Sequence, residues 1–410
     1  MNIDGLMVAL GRRCARVDRA EPVLLDVTRL IALGWTGRQP TGIDRVCRAY
    51  LRHFRTRAQA VVQHRGVIRV LEPAPSAALF DLLDHPAPGL RRRIARQLSA
   101  ALIARPARER IAGRAYLNIG HTDFDLPVHH GWARQHRLRP FYFLHDLIPV
   151  RHPAFSRPHA VRRHWGRVES ALASAEGIML GSQAVADELA AFAAEHGLPL
   201  PPLAVAHLAG EILPSAASLP PAYDRPFFLC VATIEPRKNH RLLLDLWARL
   251  AARLGADTPR LVLVGQTGPL TGDILAPLAA NPLLQAHVEH HPACCDAELA
   301  RLMHYAKALL MPTLAEGFGL PFVEALAAGT PVIASDLPVL REIGQGAASL
   351  IDPACLDGWE QAVLAALEQP ALRANGFVPP RWEGHFEVVE RFIADPAQFR
   401  RPSSERVLAA

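Results

Sequence analysis

The sequence predicts an α/β protein of two doubly wound, Rossmann-like domains that face each other across a cleft. Three observations carry this expectation. At 410 residues the chain is too long for one hydrophobic core and suits two domains, each of about 200 residues. Short apolar or β-branched runs alternate with longer amphipathic stretches, the pattern of parallel strands wrapped by helices. An aperiodic segment rich in Pro, Ser and Ala, Gly210–Pro226, precedes a fresh apolar run at Phe227, as at the start of a second sheet. The expected domains are residues 1–215 and 216–380, with 381–410 a C-terminal helix and tail that pack back on the first domain.

In chain order, the expected strands are Val23–Val27, Tyr116–Ile119, Phe141–His145, Gly177–Leu180, Phe227–Val231, Leu261–Val264, Ala286–His290, Leu309–Met311 and Pro331–Ala334. The expected helices include Gly42–Phe54, Ala184–Glu195, Asn239–Leu254, Asp357–Leu367 and Trp382–Ile393, each with apolar residues at helical spacing. Between the first strand and the Gly42 helix, Gly34–Gly42 (GWTGRQPTG) reads as a glycine-rich loop.

Composition narrows the class. With 50% hydrophobic and 20% charged residues, the chain is neither disordered, collagenous nor a coiled coil. Six scattered cysteines without framework spacing fit a reducing compartment. The N-terminus lacks a signal-peptide pattern, and no apolar run reaches the ~18 residues of a membrane span. The expectation is a cytoplasmic protein, at most peripheral on the inner face of a membrane. Net charge is +6, yet only Lys238 and Lys307 among the 45 basic residues are lysine. Residues 89–114 form an arginine-rich amphipathic stretch. It reads either as a solvated helix face covering the first sheet or as a contact for anionic headgroups, its apolar face against the acyl boundary. Basic residues are not interleaved with stacking aromatics, which argues against nucleic acid as a partner.

The most informative segment is Leu314–Val332, LAEGFGLPFVEALAAGTPV. Gly317 and Gly319 let the backbone approach a ligand closely, and Pro321 suits a first helical turn. The amides of Gly319, Leu320 and Phe322, with the helix dipole, would then face a phosphate. Glu316 falls in the loop and Glu324 inside the helix, so they reach different parts of one extended ligand. A second segment, Val231–Asn239 (VATIEPRKN), joins a strand to a helix and holds Arg237 and Lys238 where folds of this type bind ligands. A third, FYFLHDLIP, ends an apolar strand in His145-Asp146.

E-G-F-G-L-P-x-x-E followed by A-x-G-x-P-V-I-A-S closely resembles the signature of retaining glycosyltransferases of family 4, whose fold is GT-B. The resemblance implies that Glu316 lies by the donor sugar near the reacting centre and that Glu324 binds the nucleotide ribose. The backbone of Gly317, Phe318, Gly319 and Leu320 would hold sugar and pyrophosphate. Lys238 matches the family lysine that neutralises the leaving diphosphate. The family arginine usually follows a glycine earlier, where Ala232 and Thr233 stand here, and Arg237 takes its role as in relatives with E-P-R-K-N. His145 matches a histidine that contacts the donor across the cleft, with Asp146 orienting its ring. Thr41, Gly42 and Asp44 would border the acceptor, Ser182 of Gly181-Ser182-Gln183 the cleft edge, and Thr233 and Gly265 the nucleotide sugar.

Three patterns are weighed and set aside. Asp123-Phe124-Asp125 is a literal D-x-D, the metal–nucleotide triplet of the other glycosyltransferase fold, but lies in the wrong half. His290-His291 with Cys294-Cys295 lacks zinc spacing. Gly265-x-x-Gly268-x-x-x-Gly272 lacks the dinucleotide spacing, and Pro269 disturbs it.

The resemblance therefore implies a metal-independent, cofactor-free retaining hexosyltransferase. Its best-matched relatives use GDP-mannose to build bacterial surface polysaccharide on glycan or polyprenyl-linked acceptors. The alternatives are another GT-B enzyme, an epimerase or sugar-phosphate synthase, and a silent nucleotide-sugar-binding scaffold.

Overall fold

The computed structural model describes residues 21–103, 111–211, 213–214, 216, 219–268, 270–368 and 376–400. Arg105, Arg108, Arg110 and Pro269 lie outside them. The first sheet is β1 (Val23–Asp26), β2 (Ala58–His64), β3 (Val67–Val70), β4 (Ala115–Asn118), β5 (Arg139–Leu144), β6 (Gly177–Leu180) and β7 (Leu203–Val205). Its order is β3-β2-β1-β4-β5-β6-β7, and every pair is parallel except β2–β3. The second sheet is β8 (Phe227–Val231), β9 (Arg260–Val264), β10 (Val288–His291), β11 (Leu309–Met311), β12 (Val332–Ser335) and β13 (Ser349–Ile351). It is parallel throughout, in the order β10-β9-β8-β11-β12-β13. Both orders reverse direction once, between β1 and β4 and between β8 and β11. Loops leaving the C-terminal ends of those strands diverge and leave a crevice there.

The strands are buried because both faces are covered by helices: β1, β4, β6 and β12 have every residue below the surface. The helix Trp382–Ala394 leaves the second half and docks on the first sheet. Phe386, Val389, Phe392 and Ile393 are buried there, Arg139 Nη2 donates to the Ile393 carbonyl at 2.7 Å, and His385 Nε2 meets Tyr50 Oη at 3.0 Å. Phe392 covers Gly177 so closely that a Cβ there would come within 2.8 Å of the ring.

One expectation needs correction. Gly34 does not lie in a loop: a helix, Thr28–Thr36, intervenes after β1, and the loop is only Gly37–Thr41. Gly34 is needed because a Cβ would meet Leu90 and Ile94 side chains at 3.0 Å. The same packing fits the reading of the arginine-rich stretch as a solvated helix face covering the first sheet. Its described helix, Leu90–Ile103, turns Ile94 inward at 0% exposure and leaves Arg91, Arg92, Arg93 and Arg96 outside. Leu90 and Leu98 pack beside Ile94 against the first domain's core.

Candidate active site

Beyond β8 the chain makes a single 3-10 turn, Pro236–Lys238, and Asn239 takes a left-handed conformation (φ 54°) before the helix His240–Leu254. This turn is tied to the loop after β11. Leu314 N donates to the Arg237 carbonyl at 2.7 Å, and Thr313 Oγ1 donates to it at 3.2 Å. The two loops flanking the switch point thus form one unit, and it brings three charges together. Lys238 Nζ is ion-paired with Glu316 Oε2. Arg237 lies 3.6 Å from the same oxygen and holds Glu235 at 2.7 Å. Burial works to raise the Glu316 pKa, but Lys238 and Arg237 outweigh it and hold the carboxyl below its ordinary value. Lys238 is 9% exposed, and burial followed by its neighbour Arg237 lowers its pKa.

The helix Leu320–Ala327 starts from Gly319, whose φ of 95° suits glycine, with Pro321 in the first turn. The Phe322 amide, expected to face a ligand, donates instead to the Gly319 carbonyl at 3.0 Å. Phe318 turns its ring into the inter-domain core, 5% exposed, against Gly181.

The first domain meets this loop directly. A Cβ on Gly317 would strike the His145 carbonyl oxygen and come within 2.9 Å of Asp146 Cβ. His145 is 9% exposed, and its Nε2 lies 2.8 Å from the Ile119 carbonyl. A carbonyl only accepts, so Nε2 carries the proton. Burial holds the pKa at about 4, which keeps the ring neutral and makes Nδ1 a hydrogen-bond acceptor. Asp146 Oδ1 accepts from Ile148 N at 3.0 Å in a local turn.

Ser182 caps the helix Gln183–Glu195 and donates to the Gly317 carbonyl at 3.2 Å. Across the same seam, Glu342 accepts from Gln183 N and Ala184 N at 2.7 and 2.9 Å and meets His207 Nε2 at 2.7 Å. Thr41 and Asp44 form a capping box on the Gly42–Phe54 helix, while Asp44 also holds Arg29 at 2.7 Å and Arg38 at 2.8 Å. Both Asp44 oxygens are thus engaged structurally. Gly42 faces Leu320, with room for a Cβ at 3.4 Å. Thr233 and Gly265 sit side by side past the ends of β8 and β9, where Gly265 (φ 154°) presses on the Ala232 carbonyl.

Glu324 is reached from elsewhere. It is 3% exposed, ion-paired with Arg45 of the Gly42–Phe54 helix, and accepts from Glu211 N at 3.0 Å. Neither partner is marked in the sequence. The D-x-D triplet is occupied by arginine: Asp123 holds Arg163 at 2.5 Å, and Asp125 lies 3.2 Å from Arg163 and 3.6 Å from Arg167. Among the described residues no cluster of three or more His, Cys, Asp or Glu is arranged to hold a metal.

Residues 215–375 match the family model for glycosyl transferases group 1. The serotype-specific mannosyltransferase WbdA of Escherichia coli is 32% identical over 220 residues, covering 50% of this chain and 27% of that protein. The O-antigen chain mannosyltransferase RfbU of Salmonella typhimurium is 39% identical over 156 residues, 37% of this chain and 42% of that protein. The matches span less than half the length of these relatives. Among solved structures, sucrose-phosphate synthase from Thermosynechococcus elongatus superposes with a TM-score of 0.57 at 18% identity, over 95% of this chain and 100% of that one. Anabaena HepE in complex with UDP-glucose gives 0.59 at 15% identity, over 95% and 100%. At such identities the likeness establishes the fold, which is GT-B.

Proposed function

We propose, from the match of residues 215–375 to the family model for glycosyl transferases group 1, that the protein transfers a hexose, with retention, from a nucleotide sugar to a glycan or lipid-linked acceptor. Mannose from GDP-mannose is the preferred donor, because curated relatives named as mannosyltransferases match here. The observation that carries the reading is the buried Lys238–Glu316 pair, flanked by Arg237, at the switch point opposite His145.

In this reading Arg237, Lys238 and the start of the Leu320 helix neutralise the departing diphosphate without a metal. Cleft closure at Gly317 excludes water. The His145 Nδ1 accepts from a sugar hydroxyl, and Glu316 lies by the reacting carbon. The acceptor attacks from the leaving-group face, and the departing phosphate takes its proton. A glycosyl–Glu316 adduct trapped by mass spectrometry would overturn that route.

A lipid-linked acceptor gives the exposed arginines at 91–93 and 96 a role, drawing the first domain to an anionic surface by charge. Trp35 stands beside them, 48% exposed, with Arg91 donating to the Thr36 carbonyl at 3.1 Å. Co-sedimentation with anionic liposomes should fall when these arginines are neutralised. Among the described residues no helix is long and apolar enough to cross a membrane.

The primary test is a thermal-shift screen of GDP-, UDP- and dTDP-sugars, since a ligand of the native state raises the melting temperature. Anomeric analysis of the product then reads retention. Turnover unaffected by Glu316→Ala and Lys238→Ala would remove the assignment.

A further inference from the structure

The helices Gly42–Phe54 and Trp382–Ala394 meet through their rings and together line an open groove of about 1020 Å³. Its floor is a ladder of rings: Trp382 stacks on Phe386 at 5.7 Å, and Phe386 stacks on His53 at 3.9 Å with the planes 6° apart. Its rim carries Arg52, Arg391, Glu383, Glu387 and Glu390.

The groove shares its helix with Arg45, whose guanidinium reaches Glu324 in the cleft. Arg45, Ala49 and His53 are spaced four apart, so they lie on one stripe of their helix. The top of that stripe reaches Glu324, and its lower end stacks on Phe386. One turn further, Arg57 pairs with Glu390. From Arg45 to His53 the track is ~12 Å long, enough for a short oligosaccharide.

The lining selects the ligand class. Phe386 is buried with its faces taken by Trp382 and His53, so the partly exposed Trp382 supplies the electron-rich face that accepts the polarised C–H face of a pyranose ring. Carboxylates and guanidinium groups accept from and donate to its hydroxyls with charge-assisted hydrogen bonds. Glu390 is held by His53 and Arg57, and Arg52 by Asp84, so Glu383, Glu387 and Arg391 remain to face a ligand with no excess of positive charge, which disfavours phosphates and nucleic acid. We propose that this groove binds a neutral oligosaccharide, as the stretch of glycan that trails from the cleft while its end is extended. Only the identity of that glycan as acceptor rests on the transferase reading; the binding chemistry does not.

The test uses the full chain and a panel of neutral α-mannan, α-glucan and β-glucan oligosaccharides, read by saturation-transfer NMR and titration calorimetry. At least one fragment should bind, and Trp382→Ala should weaken it about tenfold. The double substitution Glu387→Gln with Arg391→Gln, at exposed positions, should act in the same direction and guards against a folding defect. The thermal shift given by nucleotide sugar should be unchanged in both variants. Failure of every oligosaccharide to bind to a protein that still binds nucleotide sugar overturns the proposal, as does binding undiminished in both variants. Trp382-dependent oligosaccharide binding without any nucleotide-sugar binding supports the groove and removes the transferase reading instead.

Discussion

The Arg45 guanidinium of the first domain is ion-paired with the buried Glu324 carboxylate of the second, across 279 positions of sequence. Burial raises the Glu324 pKa, and Arg45 and the Glu211 amide only partly restore it. If Glu324 holds the ribose, Arg45 occupies Oε1, one of the two oxygens that the ribose hydroxyls need. Nucleotide binding must then displace it. We predict that Arg45→Gln tightens nucleotide affinity by a factor of about three to ten, the net worth of an ion pair offset by its desolvation. Weaker binding, measured by calorimetry, would show instead that Arg45 supports the donor.

Lys238 should matter for both turnover and stability. Removing it leaves Glu316 buried with the Gly317 amide and, for charge, Arg237 at 3.6 Å. Breaking such a pair costs about 3 kcal/mol, and losing one charge aimed at the leaving group costs about 10²–10³ in kcat. Lys238→Met should therefore lower kcat by that factor and the melting temperature by several degrees. Lys238→Arg should recover stability better than rate, since a planar fork does not replace a compact ammonium. Full catalytic rescue by arginine would contradict this role.

The parts legible in sequence are those where backbone geometry and chemistry coincide. Gly319 must adopt a positive φ ahead of a helix, and Pro321 must follow it, so the loop after β11 announces itself. Parallel strands buried on both faces read as unbroken apolar runs, and β6, β8 and β11 fall on the expected residues. By contrast β2 and β3 carry Gln59, Gln63 and His64 and form an edge hairpin, so their polar pattern hides them. Arg45 is one arginine on an ordinary amphipathic helix. Glu211 contributes only its amide from an aperiodic linker. No local pattern records a contact that exists only once two domains close.

Acid should destabilise the protein well before carboxylates titrate. Burial holds His129, His145, His240 and His385 at about 4, against an ordinary 6.5. Between those values the unfolded chain binds the protons and the folded chain does not. Stability is therefore full above pH 6.5 and drains as pH falls towards 4. Asp26 opposes this, since burial raises its pKa to about 6 from 3.8 and the fold keeps its proton longer. Four imidazoles outweigh one carboxyl, each worth about 1.4 kcal/mol per pH unit within the window. The melting temperature should fall steeply below about pH 6; a flat calorimetric profile there would refute the assignment of neutral buried histidines.

The docked C-terminal helix should be a stability element of the first domain. Phe392 is 0% exposed and meets Phe141 edge-on at 5.5 Å. Phe392→Ala should cost about 3–5 kcal/mol by cavity formation. Gly177→Val should undock the helix, because its side chain needs the space the ring fills. Both are read by denaturant unfolding and by proteolysis C-terminal to Gly376. Equal protection in variant and parent would show that the helix contributes little.

Gly317 separates closure from chemistry. It is the point where the loop bearing Glu316 touches the backbone at His145, and the tightness there is steric: the glycine φ is unremarkable, but any Cβ overlaps the His145 carbonyl. That oxygen belongs to a strand end held from both sides, so it cannot yield as a flexible side chain would. Gly317→Ala should therefore hold the domains slightly apart while leaving each core intact. The expected signature is kcat down by about 10²-fold, as for a misplacement near 1 Å, with nucleotide affinity within a factor of about three. The melting temperature should shift only modestly, and small-angle scattering should report a larger radius of gyration. Wild-type turnover in this variant would mean that the contact between Gly317 and His145 is no part of the working cleft.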